Sequence, residues 1–194
     1  MNIRSIETRR SIRKFKPDTV PQELLRQALK AARMAPSSKN DQPWKFLVLG
    51  PESKERALNA MDAGIRTRME NGGNRQMLAG AAHTLRIMRA APTVILLVNP
   101  LSAHPHSEIS GMQHVMDMLN GVSHGAAVEN FILEAESLGL GTLWIGFTIM
   151  AYEEIVEAMG IEGQLTGALA VGFPDEHPDP RPRKDFDEVA VFLP

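Results

Sequence analysis

Arg9-Arg10-Ser11-Ile12-Arg13 places three guanidinium groups and one hydroxyl within five residues of a chain whose formal charge is only −2. A guanidinium is a rigid fork of donors that matches phosphate oxygens in pairs, so this density of forks suits a doubly charged phosphate. A solvated basic helix end would use the same residues, and the arginines alone do not choose between the two. One helix further on, Ala35-Pro36-Ser37-Ser38-Lys39-Asn40-Asp41-Gln42-Pro43-Trp44 sets hydroxyls and side-chain amides on a loop bracketed by proline. Those groups suit the polar edge of a flat heterocycle, although Ser, Asn and Gln between prolines also make ordinary turns. Taken together, the two segments point to a bound nucleotide-like cofactor.

Other constellations are weaker. Gly139-Leu140-Gly141 resembles part of a dinucleotide fingerprint, but it follows a helical pattern and lacks a third glycine opening a helix. The Rossmann phosphate mechanism therefore does not apply. Arg181 and Arg183 alternate with Pro180 and Pro182; they project to one side if the segment is β-like and diverge in a polyproline helix. His104 and His106 form an acceptable metal-ligand pair near Glu108 and His114, but nothing visible would orient them, and no metal is expected. No Ser-His-Asp arrangement is supported beyond the presence of those residue types. The absence of cysteine excludes disulfides, thiolate metal sites and cysteine nucleophiles.

The elements that must position these groups follow from periodicity. A short helix is expected over 2–10, and a second from Pro21 to the stop at Pro36, carrying Leu24, Leu25, Ala28, Leu29 and Ala32 at helical spacing. Residues 46–49 read as a short buried strand, 52–63 as a helix, Gly72-Gly73 as a break and 74–89 as a further helix. The unbroken apolar run over 93–98 predicts a strand buried on both faces. Residues 100–110 read as a mobile loop or lid, with His104 and His106 facing the pocket. A long helix over 111–138 carries a wide apolar stripe that includes Val115, Met118, Leu119, Val122, Phe131, Ile132 and Ala135. A strand over 142–146, a helix over 151–159 and a strand over 165–171 complete the body. Pro174, Pro178, Pro180 and Pro182 fall within nine residues, too dense for a helix or a central strand. Such an arm reaches about 28 Å at roughly 3.1 Å per residue. It delivers the β-prone Val189-Ala190-Val191-Phe192-Leu193 either to a partner subunit or back to its own sheet.

At 194 residues, with 43% hydrophobic and 23% charged residues, the chain has the balance of one globular domain spanning 1–194, of mixed α/β class. A pI near 6.3 supplies no global field toward nucleic acid or anionic lipid, and neither partner is expected. The start of the chain lacks a signal-peptide apolar run, and 94–98 is far too short to span a bilayer, so no membrane association and a cytoplasmic location are expected.

With these residues in view, the chain resembles the nitroreductase family of flavin-dependent oxidoreductases. The resemblance rests on the arginine segment, the 35–44 loop, Gly139-Leu140-Gly141-Thr142-Leu143-Trp144-Ile145-Gly146 and the proline-rich tail, all in the family's order. It implies an α+β fold with a central, mostly antiparallel sheet flanked by helices, and a C-terminal strand exchanged in a homodimer. It also implies FMN at the subunit interface, with NADH or NADPH as hydride donor to N5 and a small electron-poor acceptor such as a nitroaromatic or quinone. By this resemblance Arg9 and Arg183 clamp the FMN phosphate, helped by Arg10, Ser11 and Arg181, while Arg13 lies along the pyrimidine edge. Pro36, Ser37, Ser38 and Asn40 come from the second subunit. Leu143, Trp144, Ile145 and Gly146 lie along the flavin, with the Gly146 backbone near N5, and Asn74 and Gln76 approach the pyrimidine oxygens. No protein side chain is required as a catalytic group. One branch of the family carries an acidic residue where this chain has Gly146, so that branch's substrates do not transfer, and no distinctive clamp of the halotyrosine-dehalogenating branch is visible. A flavin-sequestering protein without turnover, or a dehydrogenase passing electrons to oxygen, would share the same cofactor residues.

Overall fold

The computed structural model describes residues 3–193. Its center is a four-stranded sheet in the order β1-β2-β4-β3. The strands are β1 (Lys45–Val48), β2 (Thr93–Asn99), β3 (Gly141–Ile145) and β4 (Gln164–Gly172). Every neighbouring pair is antiparallel, in keeping with the expected sheet. Every residue of β2 is buried. Its Val94 and Leu96 face one apolar cluster while Ile95 and Leu97 face another, which is why its sequence shows no polar alternation.

Helices cover both faces. On one side lie α2 (Gln22–Ala32) and α5 (Gly111–Ser137), which pack Leu25, Ala28, Val128, Phe131 and Ile132 beneath the sheet. On the other lie α3 (Pro51–Glu70), α4 (Arg75–Ala90) and α6 (Tyr152–Met159), contributing Leu58, Met61, Leu78, Leu85 and Ile155. The short α1 (Arg4–Thr8) ends immediately before Arg9, and α7 (Phe186–Val189) lies near the C-terminus. Among the described residues no helix is long and apolar enough to cross a membrane.

The structure departs from the sequence expectations in four elements. The first strand, expected to be buried, is the edge strand β1, exposed at Lys45 and Val48 and half-buried at Phe46 and Leu47. Helix α3 continues past residue 63 to Glu70, because Ile65 extends the buried stripe of Ala57, Leu58 and Met61. Gly64 is no stop signal there: a Cβ at that position would lie 2.7 Å from the Cβ of Ala151, so glycine lets the next turn pack closely. The apolar stripe of α5 divides in two. Ala127, Val128, Phe131, Ile132 and Ala135 are buried, whereas Met112, Val115, Met118, Leu119 and Val122 are exposed. Finally, the expected C-terminal strand is not formed within this chain. Asp185 and Glu188 make a reciprocal capping box that starts α7 instead, and 190–193 runs on without a strand partner.

The ends of the chain are tied to each other beside β3. Ser11 bridges Thr142 in parallel, and Ile12 N–H donates to Thr142 O at 2.9 Å. From the other terminus, Lys16 N–H donates to Phe173 O at 2.9 Å and Asp175 N–H to Lys14 O at 3.0 Å. Glu176 completes the clasp, its carboxylate accepting from the backbone N–H groups of Arg13 and Lys14. The glycine motif makes this possible. Gly139, at φ +79, ends α5 in the left-handed region. At Gly141 an added Cβ would lie 2.8 Å from Ile12 Cγ1. Gly141→Ala therefore overpacks the joint at a cost of about 1–3 kcal/mol. The expected result is a melting temperature lower by about 3–10 °C; unchanged thermal unfolding would show that the contact relaxes freely.

Candidate functional site

The clasp brings both arginine groups to one cavity of about 620 Å3. Arg9, Arg10, Ser11 and Arg13 line it from the N-terminal segment, and Arg181 and Arg183 from the proline-rich arm. Both arginines of the arm thus border the same cavity as the N-terminal cluster. Glu7 and Asp179 are the acidic residues of the lining, so positive charge predominates.

Several contacts pre-position the forks. Arg9 Nε lies 3.6 Å from Glu129 Oε1 on α5. Arg10 Nη1 donates to the Glu7 and Arg9 carbonyls at 2.8 Å, capping the end of α1. Its Nε is buried and has no partner among the described residues. Arg13 Nη1 donates to Ser11 O at 3.0 Å, and Arg183 Nη1 to Arg181 O at 3.3 Å. Arg9 is thus partly offset by a carboxylate, whereas Arg10, Arg13 and Arg183 engage one nitrogen of each fork with neutral carbonyls. For those three the arrangement fixes direction without neutralising charge.

A second cavity of about 530 Å3 adjoins the first, and Arg13 stands on the wall of both. Leu143, Trp144, Ile145 and Gly146 line it from the end of β3, and Met77, Gly80, His83, Thr84 and Ile87 from α4. Phe147 and Ile149 close it from the turn after β3. The walls are chiefly apolar, and Trp144 keeps 45% of its surface exposed. Apart from its chain neighbours, no atom lies within 4 Å of where a Gly146 Cβ would project, so the cavity is open at that position. A polar, cationic chamber that shares Arg13 with a chiefly apolar cavity suits one ligand with an anionic end and a planar ring.

Not every expected residue lines these cavities. Asn74 accepts from Met77 N–H at 3.1 Å as the N-cap of α4, and Gln76 is exposed on its first turn; neither lines either of these two cavities. The α4 residues that do border one went unrecognised in the sequence. Met77, Gly80, Thr84 and Ile87 recur at helical spacing and read as core, and only the tertiary approach of Arg13 gives them another role. His104 and His106 face the Glu153 carboxylate at 3.1 and 3.8 Å, tying the 100–110 loop to α6 and away from both cavities. No cluster of three metal-ligating side chains occurs among the described residues.

Pro36, Ser37, Ser38 and Asn40 lie apart from both cavities, on the loop between α2 and β1. Lys39, Asn40 and Gln42 have φ of 51°, 60° and 49°. Left-handed backbone costs a non-glycine residue about 1–3 kcal/mol, less for Asn, and persists where surroundings enforce it. Two neighbouring α5 residues do so: Ser38 N–H donates to Ser123 Oγ at 3.3 Å, and His124 Nδ1 lies 3.1 Å from Pro43 O. His124 is 3% exposed, and its Nε2 meets Thr166 Oγ1 at 2.9 Å at the bulge in β4.

Burial holds the His124 pKa below its ordinary value, opposed in part by the bond to Pro43. The neutral ring is thus the folded form. Above the unfolded value of about 6.5 both states are neutral and its contribution is complete. As pH falls below that value the unfolded chain takes up a proton first, so stability declines by up to about 1.4 kcal/mol per pH unit. Denaturant unfolding between pH 7 and 5 should show this loss, and His124→Asn should remove that component. An identical acid slope in the variant would contradict it.

The sequence model of the nitroreductase family matches residues 6–173. Iodotyrosine deiodinase of Thermotoga neapolitana is 30% identical over 190 residues, covering 94% of this chain and 92% of that protein. The crystal structure of a BluB-like flavoprotein from Clostridium difficile 630 aligns with a TM-score of 0.77 at 25% identity over 100% of both chains. A Desulfovibrio desulfuricans chain, provisionally named a nitroreductase and solved in complex with FMN, aligns at 0.74 and 25% identity over 100% of this chain and 98% of its own.

Proposed function

We propose, for a chain that belongs to the nitroreductase family, that the joined cavities hold FMN and that the protein is an NAD(P)H-dependent oxidoreductase reducing electron-poor acceptors such as nitroaromatics or quinones. The observation that carries this reading is the position of Arg13. It lies on the common wall between a chamber bearing Arg9 and Arg183, from opposite ends of the chain, and a slot lined by Trp144 and Gly146. The unpartnered, buried Arg10 Nε fits the same reading, since a buried donor calls for an acceptor. The Desulfovibrio relative solved with FMN supports it further.

Arg9, Arg10, Ser11, Arg181 and Arg183 would hold the phosphate, and Leu143, Trp144, Ile145 and Gly146 the ring. FMN held there would supply the redox chemistry between the nicotinamide donor and the acceptor. The protein's part is placement, charge and dryness. Arg13 puts a fixed positive charge beside the slot, where it favours negative charge on a ring held there. Trp144, Phe147 and Ile149 keep water from the ring face. No side chain is asked to act as nucleophile. The protein acts as a homodimer, with Pro36, Ser37, Ser38 and Asn40 of each protomer completing the site of the other and the C-terminal arms exchanged.

Anaerobic mixing of the FMN-loaded protein with NADH or NADPH tests the enzyme reading. Rapid loss of the oxidised flavin spectrum, restored on adding a quinone or nitroaromatic, is the expected result. A spectrum unmoved by either nicotinamide would leave a flavin-binding protein and overturn the oxidoreductase.

A further inference from the structure

The 36–43 loop raises a question that its own chain does not answer. It holds Lys39, Asn40 and Gln42 in left-handed backbone, yet its residues 39–42 are exposed and it lines neither cavity of its own protomer. A mere connector would relax this strain or use glycine. Here α5 enforces it with two adjacent buried polar residues. Ser123 is 7% and His124 3% exposed. The Ser123 hydroxyl donates to Leu119 O at 2.9 Å, which leaves its oxygen to accept from Ser38 N–H. Within the loop, Ser37 Oγ accepts from Gln42 N–H at 3.0 Å.

The proton on His124 can be placed by elimination. A carbonyl only accepts, so the contact with Pro43 O requires the proton on Nδ1. In the neutral ring Nε2 is then an acceptor, and Thr166 Oγ1–H donates to it. Thr166 Oγ1 also lies 3.1 Å from Leu97 O, an alternative acceptor for the same proton. Phe46 stacks along the ring at 6.4 Å and 12°, holding its plane. The imidazole thus spans from the loop's end to the β4 bulge.

We infer that Ser123 and His124 are positioning residues that preorganise the 36–43 loop of one protomer to receive the flavin ring held by the other. This rests on the FMN-binding homodimer proposed above. Strain held in place before binding spares the ligand the cost of ordering the loop, so loss of either clamp appears as weaker binding.

Asparagine and glutamine separate the two ends of the imidazole. The amide nitrogen of Asn falls near Nδ1 and can still donate to Pro43 O; that of Gln falls near Nε2 and leaves Pro43 unserved. In fluorescence titrations of the dimeric apoprotein with FMN, His124→Gln and Ser123→Ala should raise Kd about 10- to 100-fold, and His124→Asn should stay within a few-fold of wild type. Thermal unfolding of each variant shows that the same fold is being compared, and Ser123→Ala, which removes one bond and little volume, guards against a His124 variant that does not fold. A purely structural role would weaken His124→Asn and His124→Gln alike, and that outcome overturns the inference, as does wild-type affinity in both His124→Gln and Ser123→Ala. Wild-type protein that fails to bind FMN would instead remove the functional reading itself, so the two failures are distinct.

Discussion

Alanine at both Arg9 and Arg183 is expected to weaken FMN binding by about 100- to 1,000-fold and to yield protein that loses its yellow colour on desalting. Each hydrogen bond to a charged group contributes about 1.5–3 kcal/mol. Arg9 retains 26% side-chain exposure and Arg183 is exposed, so solvent screening places the pair toward the lower part of that range. Both line the phosphate-type chamber, and the double variant leaves Arg10, Arg13 and Arg181 there with a gap at either end. Each single variant should show a smaller loss, and added salt should weaken wild-type binding more than that of the double variant. Absorbance spectra after gel filtration check the result. Full flavin retention in the double variant would mean that the phosphate lies elsewhere.

The second large effect concerns the C-terminal arm. Phe186, Val189, Val191, Phe192 and Leu193 are between 63% and 86% exposed in the single chain. Burying a large apolar side chain contributes about 1.5–3 kcal/mol, and a symmetric exchange buries each of these twice. Removing residues 184–194 should therefore raise the dimer dissociation constant by at least about 100-fold. FMN should be lost with the dimer, because the 36–43 loop then no longer reaches the opposite site. Sedimentation velocity across a dilution series reads the first effect and flavin fluorescence the second. An unchanged dimer would show that the exposed face of α5, with Met112, Val115, Met118, Leu119 and Val122, suffices for association without the arm.

What could be read from the sequence was whatever is local. The run from Thr93 through Val98 marks a doubly buried strand because periodicity alone reports two covered faces. Arg9, Arg10, Ser11, Arg13, Arg181 and Arg183 could be singled out because guanidinium chemistry is legible residue by residue, and the structure places all six on one cavity. Their meeting followed only from the family resemblance and not from the residues themselves, since Glu176 reaches across to the Arg13 and Lys14 backbone to tie the two segments. A lone Glu in a proline-rich tail carries no such signal. The α4 wall was hidden for a similar reason: Met77, Gly80 and Thr84 fit a core stripe equally well. His124 was passed over within a long apolar helix, although a histidine there must find partners for both nitrogens. Helix α5 shows the opposite error. Its stripe runs the whole length of the helix, but the fold of one chain covers only the second half, and hydrophobicity does not say whether the cover is the same chain or another. Tail residues 189–193 gave the same ambiguity, β-prone in composition but without a strand partner here.

The central claim, that one chamber reads phosphate while the adjoining slot reads the ring, is tested most directly by comparing FMN with riboflavin. The two ligands share the ring and ribityl chain and differ only in the phosphate. Parallel fluorescence titrations of the apoprotein should give FMN an affinity at least about 100-fold higher, two charge-assisted contacts being worth that much, and Arg9→Ala/Arg183→Ala should abolish most of the difference. Equal affinity for both ligands in the wild-type protein would contradict the assignment.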